Sequence, residues 1–541
     1  MIAGAVLALF ATVALFGLLN KPVNTTGASL PSGSTEVTPA PSGIATTGVG
    51  ETPTPTATGS TGTEPTATPT ATATATPPPT PTPPPDAVAI PFVPVVGFWS
   101  TDASITVANL RAAAGGTNTK YPELLLPIDD EAAVAAALGV TGYQTGTVDQ
   151  IEAAVKAGAV GILRATDVTP RVHALPLNGV ALFGNDRVRD LAQWPLTLQV
   201  SSSETWNQAG AWTLVAGGDI MMDRGNRRAI ERHGNDPDYV LDGGTSRVTG
   251  VRCCSIFGYE YVTTRRTGNT GAMRDLFSTA DVAMANLESA VLVNAPYHAT
   301  GFIFTTPAAY LDALETAGID FLSLGNNHIR NAAARGITTA ITELDARGIE
   351  HSGAGPFPDN SKPGVVEVNG LRVAFLGCDA IRPGWAATPD KVGTFNCRSG
   401  DVAGKIRQMR PNYDVIVVMP HWGREYAAKP ADYQRVLAGA WLAAGADVVI
   451  GAHSHWAGGM QDFDGKLALY SIGNFVFDQS WSRSTMQGVV PELTFVGTEL
   501  VQVNLHPTLL IDSQPNFVAP TQGGQYVIDQ MIRGSQGLLN Y

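Results

Sequence analysis

Apolar positions along the chain change their rhythm several times. From Ile2 to Leu19 the run IAGAVLALFATVALFGLL carries no charge and is just long enough for a helix to cross a hydrocarbon core. Over residues 21–90 large apolar side chains nearly vanish and Thr/Pro repeats take over, as in TPTPTATGSTGTEPTATPTATATATPPPTPTPPP. Such a stretch buries no core and predicts a disordered, extended spacer. Apolar character returns over 91–205, where DEAAVAAALGV and DQIEAAVKAGAVGILRATDV predict helices, the second running into a strand. From 206 to 510, short Val/Ile/Leu runs alternate with amphipathic segments such as NRRAIERHG and QRVLAGAWLAAGAD. That alternation predicts an α/β architecture with both sheet faces covered. Residues 241–270 read as a long loop near the cleft, and 511–541 as a short docking helix and tail.

The ends of the apolar runs carry the chemistry. WTLVAGGD stops at Asp219, DVAMANLE at Asn286 and Glu288, and DFLSLGNNH at Asn326, Asn327 and His328. LRVAFLGCD stops at Asp379, DVIVVMPHWG delivers His421, ADVVIGAHSH delivers His453 and His455, and KLALYSIGNF reaches Asn474. Ligands of α/β sheets bind beyond the carboxyl ends of the strands, so these groups are expected to share one site. Of the nine histidines in the chain, four fall at these ends. With Asp219, Glu288 and Asn327 they form a nitrogen and oxygen donor set without sulfur. That set suits one or two divalent ions of Mn, Fe or Zn, which activate water for hydrolysis. On extended backbone the two histidines of HSH point the same way, and Gly451 and Ala452 leave room for close approach. Arg224 either clamps an anionic group or is a solvated helix residue. Glu425 and Tyr426 are expected to orient His421, and Asn286, Asn474 and Asp478 to contact substrate or support the ligands. Tyr297 and His298 fall in a loop and receive no role.

Charge narrows the partners. With a formal net charge of −13 and 15% charged residues, there is no basic footprint for nucleic acid. The four cysteines show no C-x-x-C spacing, which argues against a thiolate zinc site. Cys378 and Cys397 are either a disulfide of an extracytoplasmic protein or buried small hydrophobes. The first apolar run lacks a basic flank and a small-x-small cleavage site, so an uncleaved anchor is favoured over a removed signal peptide. Lys21 alone would place the body in the cytoplasm, but a Thr/Pro stalk behind an anchor belongs outside. The expectation is a single-pass protein of the cell membrane with an extracytoplasmic body.

Taken together, GGDIMMDR, ANLES, LGNNH with RGI and HSGAG beyond it, PHWGREY, AGADVVIGAHSHW and YSIGNFVFD resemble, in order and spacing, the CapA capsule-synthesis family. That family is similar to the calcineurin-like metallophosphoesterases, and the resemblance covers residues 211–480. It implies a four-layer fold, a β-sandwich flanked by helices, and a role in making, anchoring or exporting poly-γ-glutamate. It also implies that Glu288 bridges two ions, that Asn327, His421 and His453 complete one metal position, and that His455 joins Asp219 at the other. His328 and Asp219 would then serve catalysis, with His328 donating a proton to the leaving group. Met221 stands where the wider pattern has a ligating histidine, and Asn331 where the family has an acid that would orient His328. The expected function is a metal-dependent hydrolase acting on a γ-glutamyl amide or phosphoester, with an anionic polymer and capsule-synthase membrane subunits as partners. The alternative is a non-catalytic polymer-binding or export component. A fragment of the small unit, AVGILRATDVTPRVHALPLNGVALFGND, resembles part of one lobe of bacterial solute-binding proteins; it would make that unit a solute sensor, whereas the plainer reading is a packing domain.

Overall fold

The computed structural model describes residues 86–541. Both the apolar run from Ile2 to Leu19 and most of the Thr/Pro stretch lie outside the described residues. Among the described residues no helix is long and apolar enough to cross a membrane.

The described residues begin with a small mixed sheet of six strands. Its long central strand, Ala87–Gly97, pairs antiparallel with Val160–Arg164, Val172–Ala174 and Thr197–Ser201. Helices Glu131–Leu138 and Val148–Lys156 form where the sequence predicts them. Thr147 accepts from the backbone N–H of Gln150, and the Gln150 side chain returns the bond, a reciprocal cap that sets the start of the second helix.

Two further sheets follow. The larger is built in the order 350–352, 321–323, 282–287, 211–220, 489–496, 499–511, 514–518, 245–252 and 261–268, with strand Asn474–Val476 also pairing to Ala211–Ile220. The smaller has six strands in the order 364–368, 371–379, 415–421, 448–450, 466–469 and 460–463. Alternation along each strand sends one set of side chains inward, where Trp212, Leu214, Met284 and Phe321 meet Phe375, Val417, Val448 and Leu467. Phe321 and Phe375 stack with centroids 4.8 Å apart. The opposite set meets helices: Val215, Ala283 and Leu322 pack on Ile337 and Leu344, and Leu376, Ile416 and Val418 on Ile406, Trp441 and Leu442. The order is therefore helices, sheet, sheet, helices, with each fully buried large side chain stabilising by roughly 1.5–3 kcal/mol.

Two segments differ from the sequence reading. Residues 245–268 are a β-hairpin, Thr245–Arg252 with Tyr261–Gly268, at the edge of the larger sheet; its Gly/Ser/Thr content hid the alternation. The last thirty-one residues are built into the domain. Strand Gln514–Val518 extends the larger sheet, and helix Gln525–Ser535 places Val527 and Met531 in the intersheet core. All four cysteines are paired, Cys253 with Cys254 and Cys378 with Cys397.

Candidate metal centre

Parallel strands from both sheets end at one edge. In the larger sheet Asp219 stands in register between Asn286 and Asn474. Asn474 opens a short strand instead of closing one, because Lys466–Leu469 ends earlier and the chain turns through Gly473. A Cβ on Gly218 would collide with the Gly473 carbonyl, so only glycine lets these strands approach and bring Asn474 beside Asp219. In the smaller sheet His421 is the last residue of Val415–His421, in register with Asp379.

The HSH segment is not extended. Strand Val448–Ile450 ends before it, and His453 and His455 have φ of 96° and 60°. Non-glycine residues adopt this left-handed region at a cost of about 1–3 kcal/mol, and it recurs at functional sites. The turn still brings both imidazoles to the site, with ring centroids 6.1 Å apart. The backbone N–H of His453 donates to Asp219 Oδ2 at 3.2 Å.

Asp219, Glu288 and His455 form one ligand-competent group, and Glu288, His421 and His453 another. Glu288 belongs to both. Around His421 Nε2 stand Asn327 Oδ1 at 2.6 Å, His453 Nδ1 at 3.0 Å and Glu288 Oε1 at 3.4 Å. A single imidazole proton cannot serve so many acceptors. Glu288 is fully buried and neither of its carboxylate oxygens has a hydrogen-bond partner. A buried carboxylate without partners is costly unless a cation meets it, so the donor set fits a divalent metal.

Polar side chains hold the ligands. Asn286 Nδ2 donates to Asp219 Oδ1 at 2.8 Å and lies 3.2 Å from His421 Nδ1. Asn326 in turn donates to Asn286 Oδ1 and to the Leu287 carbonyl, while Asn474 Oδ1 lies 2.9 Å from His455 Nδ1. His328 Nε2 stands 3.7 Å from Glu288. Asn331 Oδ1 accepts from the Phe304 backbone N–H at 2.8 Å, which sets the amide's orientation, and lies 2.9 Å from His328 Nδ1. Nδ1 of His328 therefore donates, and Nε2 is the bare nitrogen. The residue at 331 orients His328 after all, without a carboxylate's charge.

Burial dominates the electrostatics. It pushes the His328 imidazolium down to about 3, depresses His421, and depresses His453 strongly, with the neighbouring His421 adding to the effect. All three are held in the neutral form, which for His421 and His453 is the ligating one. Burial works against protonation of His455 too, but Glu288 and Asp219 outweigh it and raise that group. Burial, reinforced by nearby Asp219, pushes the Glu288 carboxyl well above the ordinary range. For Asp219, burial is outweighed by the hydrogen bond with His455, with Asn286 adding a second bond, and the group is held low.

Other residues lie elsewhere than expected. Glu425 is exposed, and Asn286 and Asn327 orient His421 in its place. Arg224 is tied to Asp478 at 3.1 Å, donates to the Gly301 carbonyl, and sits over the Phe304 ring. Met221 is buried with Phe304, Phe477 and Leu510, an apolar wall instead of a ligand. His298, given no role from sequence, bonds the fully buried Asp223 at 2.6 Å and anchors its loop there. Arg382 also escaped sequence reading; it is close enough for its charge to depress His328 and His453. Its position just beyond the strand-end Asp379, whose carboxylate accepts from the Arg382 backbone N–H, was the available signal. Beyond His455 an aromatic wall continues through Tyr426 to Trp481, 4.8 Å between centroids, and on to Tyr259 and Phe257 of the hairpin.

Fold and site together define a sheet-rich α/β protein with a buried histidine and carboxylate centre suited to divalent metal. Residues 213–479 match the family described as bacterial capsule synthesis protein PGA_cap, and this part of the chain belongs to that family. It is similar to the capsule biosynthesis protein CapA of Bacillus anthracis, 29% identical over 302 residues, covering 54% of this chain and 66% of that one. The PGA biosynthesis protein CapA of Bacillus subtilis is 28% identical over 278 residues, covering 50% and 65%. The matches thus span just under two thirds of these relatives' own lengths. Among solved structures, a 5'-nucleotidase precursor from Thermus thermophilus aligns over 60% of this chain and 59% of its own, at 13% identity and a TM-score of 0.31.

Proposed function

We propose that this chain is a membrane-tethered, cell-surface metallohydrolase of capsule synthesis, acting on γ-glutamyl amide or phosphoester links of an anionic polymer such as poly-γ-glutamate. The observation that carries the hydrolase reading is Glu288, buried without hydrogen-bond partners and shared by two groups of ligating side chains. Asp219 and His455 would hold one ion, and His421, His453 and Asn327 the other, with Mn, Fe or Zn matching donors that include no sulfur. A divalent cation, when bound, supplies Lewis acidity to the scissile group and charge that stabilises the departing oxygen. Asn286 fixes Asp219 and His421 in mutual orientation, and Asn474 holds His455. His328, with Nδ1–H engaged by Asn331, presents a bare Nε2 that would accept the proton shed by the attacking water and pass it to the departing oxygen or nitrogen. The polymer comes from the names of the Bacillus relatives, and the tether from the apolar run ahead of the Thr/Pro stretch.

The test pairs metal analysis of the purified full chain with assays of chain shortening on poly-γ-glutamate and of phosphoester release. Wild type should hold one or two equivalents of transition metal, one for each ligand group, and shorten one of the substrates. The double substitution His453→Ala, His455→Ala should lose both properties. A metal-free wild type after reconstitution would end the hydrolase reading.

Met221 favours a second reading. Because its side chain joins an apolar cluster, one metal position has fewer ligands, as a non-catalytic polymer-binding or export component tolerates. His328→Ala separates the two: capsule function should be lost in a hydrolase and retained in a binder.

A further inference from the structure

A well-formed cavity lies away from the histidine centre. It has a volume of about 650 Å³ and lies between the small N-terminal sheet and the larger sheet of the sandwich, sharing no residue with the metal ligands. That volume is within the range of small-molecule sites.

Its floor is a polar stripe on two paired strands, Val489–Val496 and Glu499–Ile511. Glu492 stands opposite Asn504, Thr494 opposite Gln502, and His506 opposite Val490. The stripe neutralises its own charge: His506 Nε2 lies 2.7 Å from Glu492 Oε2, the Asn185 backbone N–H donates to Glu492 Oε1, and Gln502 Nε2 donates to Asn504 at 2.8 Å. Across the cavity, the Asp102 carboxylate is met by Lys120 and by the Tyr121 hydroxyl. His173 Nδ1 donates to the Ser100 carbonyl at 2.9 Å, which leaves Nε2 as a bare acceptor. Burial keeps this ring neutral.

The charge balance restricts the ligand. The cavity wall contains no lysine or arginine, so nothing compensates a phosphate or a carboxylate. Of its carboxylates, Glu492 is paired with His506 and Asp102 with Lys120, while Asp186 is exposed at the rim, where water solvates it, so no buried carboxylate demands a cation. What remains for a ligand are the bare Nε2 of His173 and the hydroxyls of Ser100 and Thr101, opposed by the rings of Trp99, Phe183 and Phe517. A pyranose has that dual character, with C–H faces and hydroxyl edges. We propose that this cavity binds a neutral sugar, a mono- or disaccharide, at a site separate from the metal centre. Its chemistry is the opposite of the polyanion proposed for that centre, and it stands whether or not the hydrolase reading does.

The test is titration calorimetry and saturation-transfer NMR on the purified full chain with glucose, N-acetylglucosamine and maltose. Phosphate, L-glutamate and putrescine serve as charged comparisons. At least one neutral sugar should bind at millimolar concentration or below, while the charged probes do not. Two variants read the site. Ala103→Trp adds bulk at an exposed lining position and should weaken binding tenfold or more without loss of folding. His173→Phe removes the Nε2 acceptor and should weaken it severalfold. Binding should persist in the His453→Ala, His455→Ala chain. The proposal is overturned if no neutral sugar binds, if a charged probe binds in preference, or if Ala103→Trp leaves binding intact. It is also overturned if the histidine double variant abolishes binding, since the sugar would then sit at the metal centre.

Discussion

At the residue scale, Glu288 and His455 decide how the centre loads. Both are raised in the metal-free chain, Glu288 by burial and His455 by the carboxylates around it, so each holds a proton to higher pH than it would in water. A cation must displace those protons. Metal affinity should therefore rise with pH, and uptake should acidify a weakly buffered solution; a pH-independent titration would mean that these groups are not ligands. Glu288→Gln keeps the shape but removes the shared charge, and metal content should fall by at least one equivalent. Asn331 gives a second prediction. Its oxygen already accepts from His328 Nδ1, so Asn331→Asp preserves the bond and adds a negative charge beside the ring. The His328 pKa should rise from its depressed value of about 3, read from the imidazole resonances in a pH titration. An unmoved resonance would show that the bond is absent in solution. The sequence reveals which residue types reach this edge, because strand ends are where polar groups interrupt apolar runs. It does not reveal the partner of each nitrogen: Glu425 is near His421 in the chain and exposed in space, whereas Asn286 is distant in the chain and beside it.

At the scale of elements, the site depends on how closely strand ends approach. Gly218 packs against the Gly473 carbonyl, which accepts from the Asp219 backbone N–H at 3.2 Å. Gly218→Ala should force the 473–474 segment away and separate Asn474 from Asp219 and His455. The cost of such overpacking is about 1–3 kcal/mol, and metal content should fall together with the denaturation midpoint. If stability falls but metal is retained, Asn474 is not needed to position His455. The buried parallel strands and their amphipathic helices were legible because burial on both faces leaves continuous apolar runs. The 245–268 hairpin was not, since an edge strand carries polar residues on its exposed side. The turn at His453 and His455 was also hidden, because two left-handed histidines are sustained by tertiary contacts and not by local propensity.

For the whole molecule, Arg187 is one of the ties between the small unit and the sandwich, beside bonds such as Ala174 N–H to Gln502 Oε1. The Arg187 side chain is fully buried and donates to Asp281 Oδ2 at 2.7 Å, to the Ala211 carbonyl at 2.8 Å and to the Gly184 carbonyl at 3.0 Å. Asp281 immediately precedes strand Val282–Leu287, and it also accepts from Thr213 N–H and Oγ1–H. Arg187 thus fastens the loop above the cavity to two central strands of the larger sheet. Burial favours neutral Asp281, but Arg187 and the Thr213 bonds outweigh it, so its folded pKa lies below the ordinary value. A depressed carboxyl contributes stability that is complete above its unfolded value, about 3.9, and is lost as pH falls through the folded one. Arg187→Met keeps much of the volume but strands the carboxylate, and should cost about 3 kcal/mol at neutral pH. Urea denaturation of wild type and variant at about pH 7 and about pH 3 reads both parts of this argument. The gap should be large at the first and smaller at the second, which lies below the unfolded carboxyl value, where the depressed group begins to lose its contribution. A gap unchanged with pH would assign the cost to packing alone, and the loop carrying Arg187 would then be held by shape and not by the ion pair.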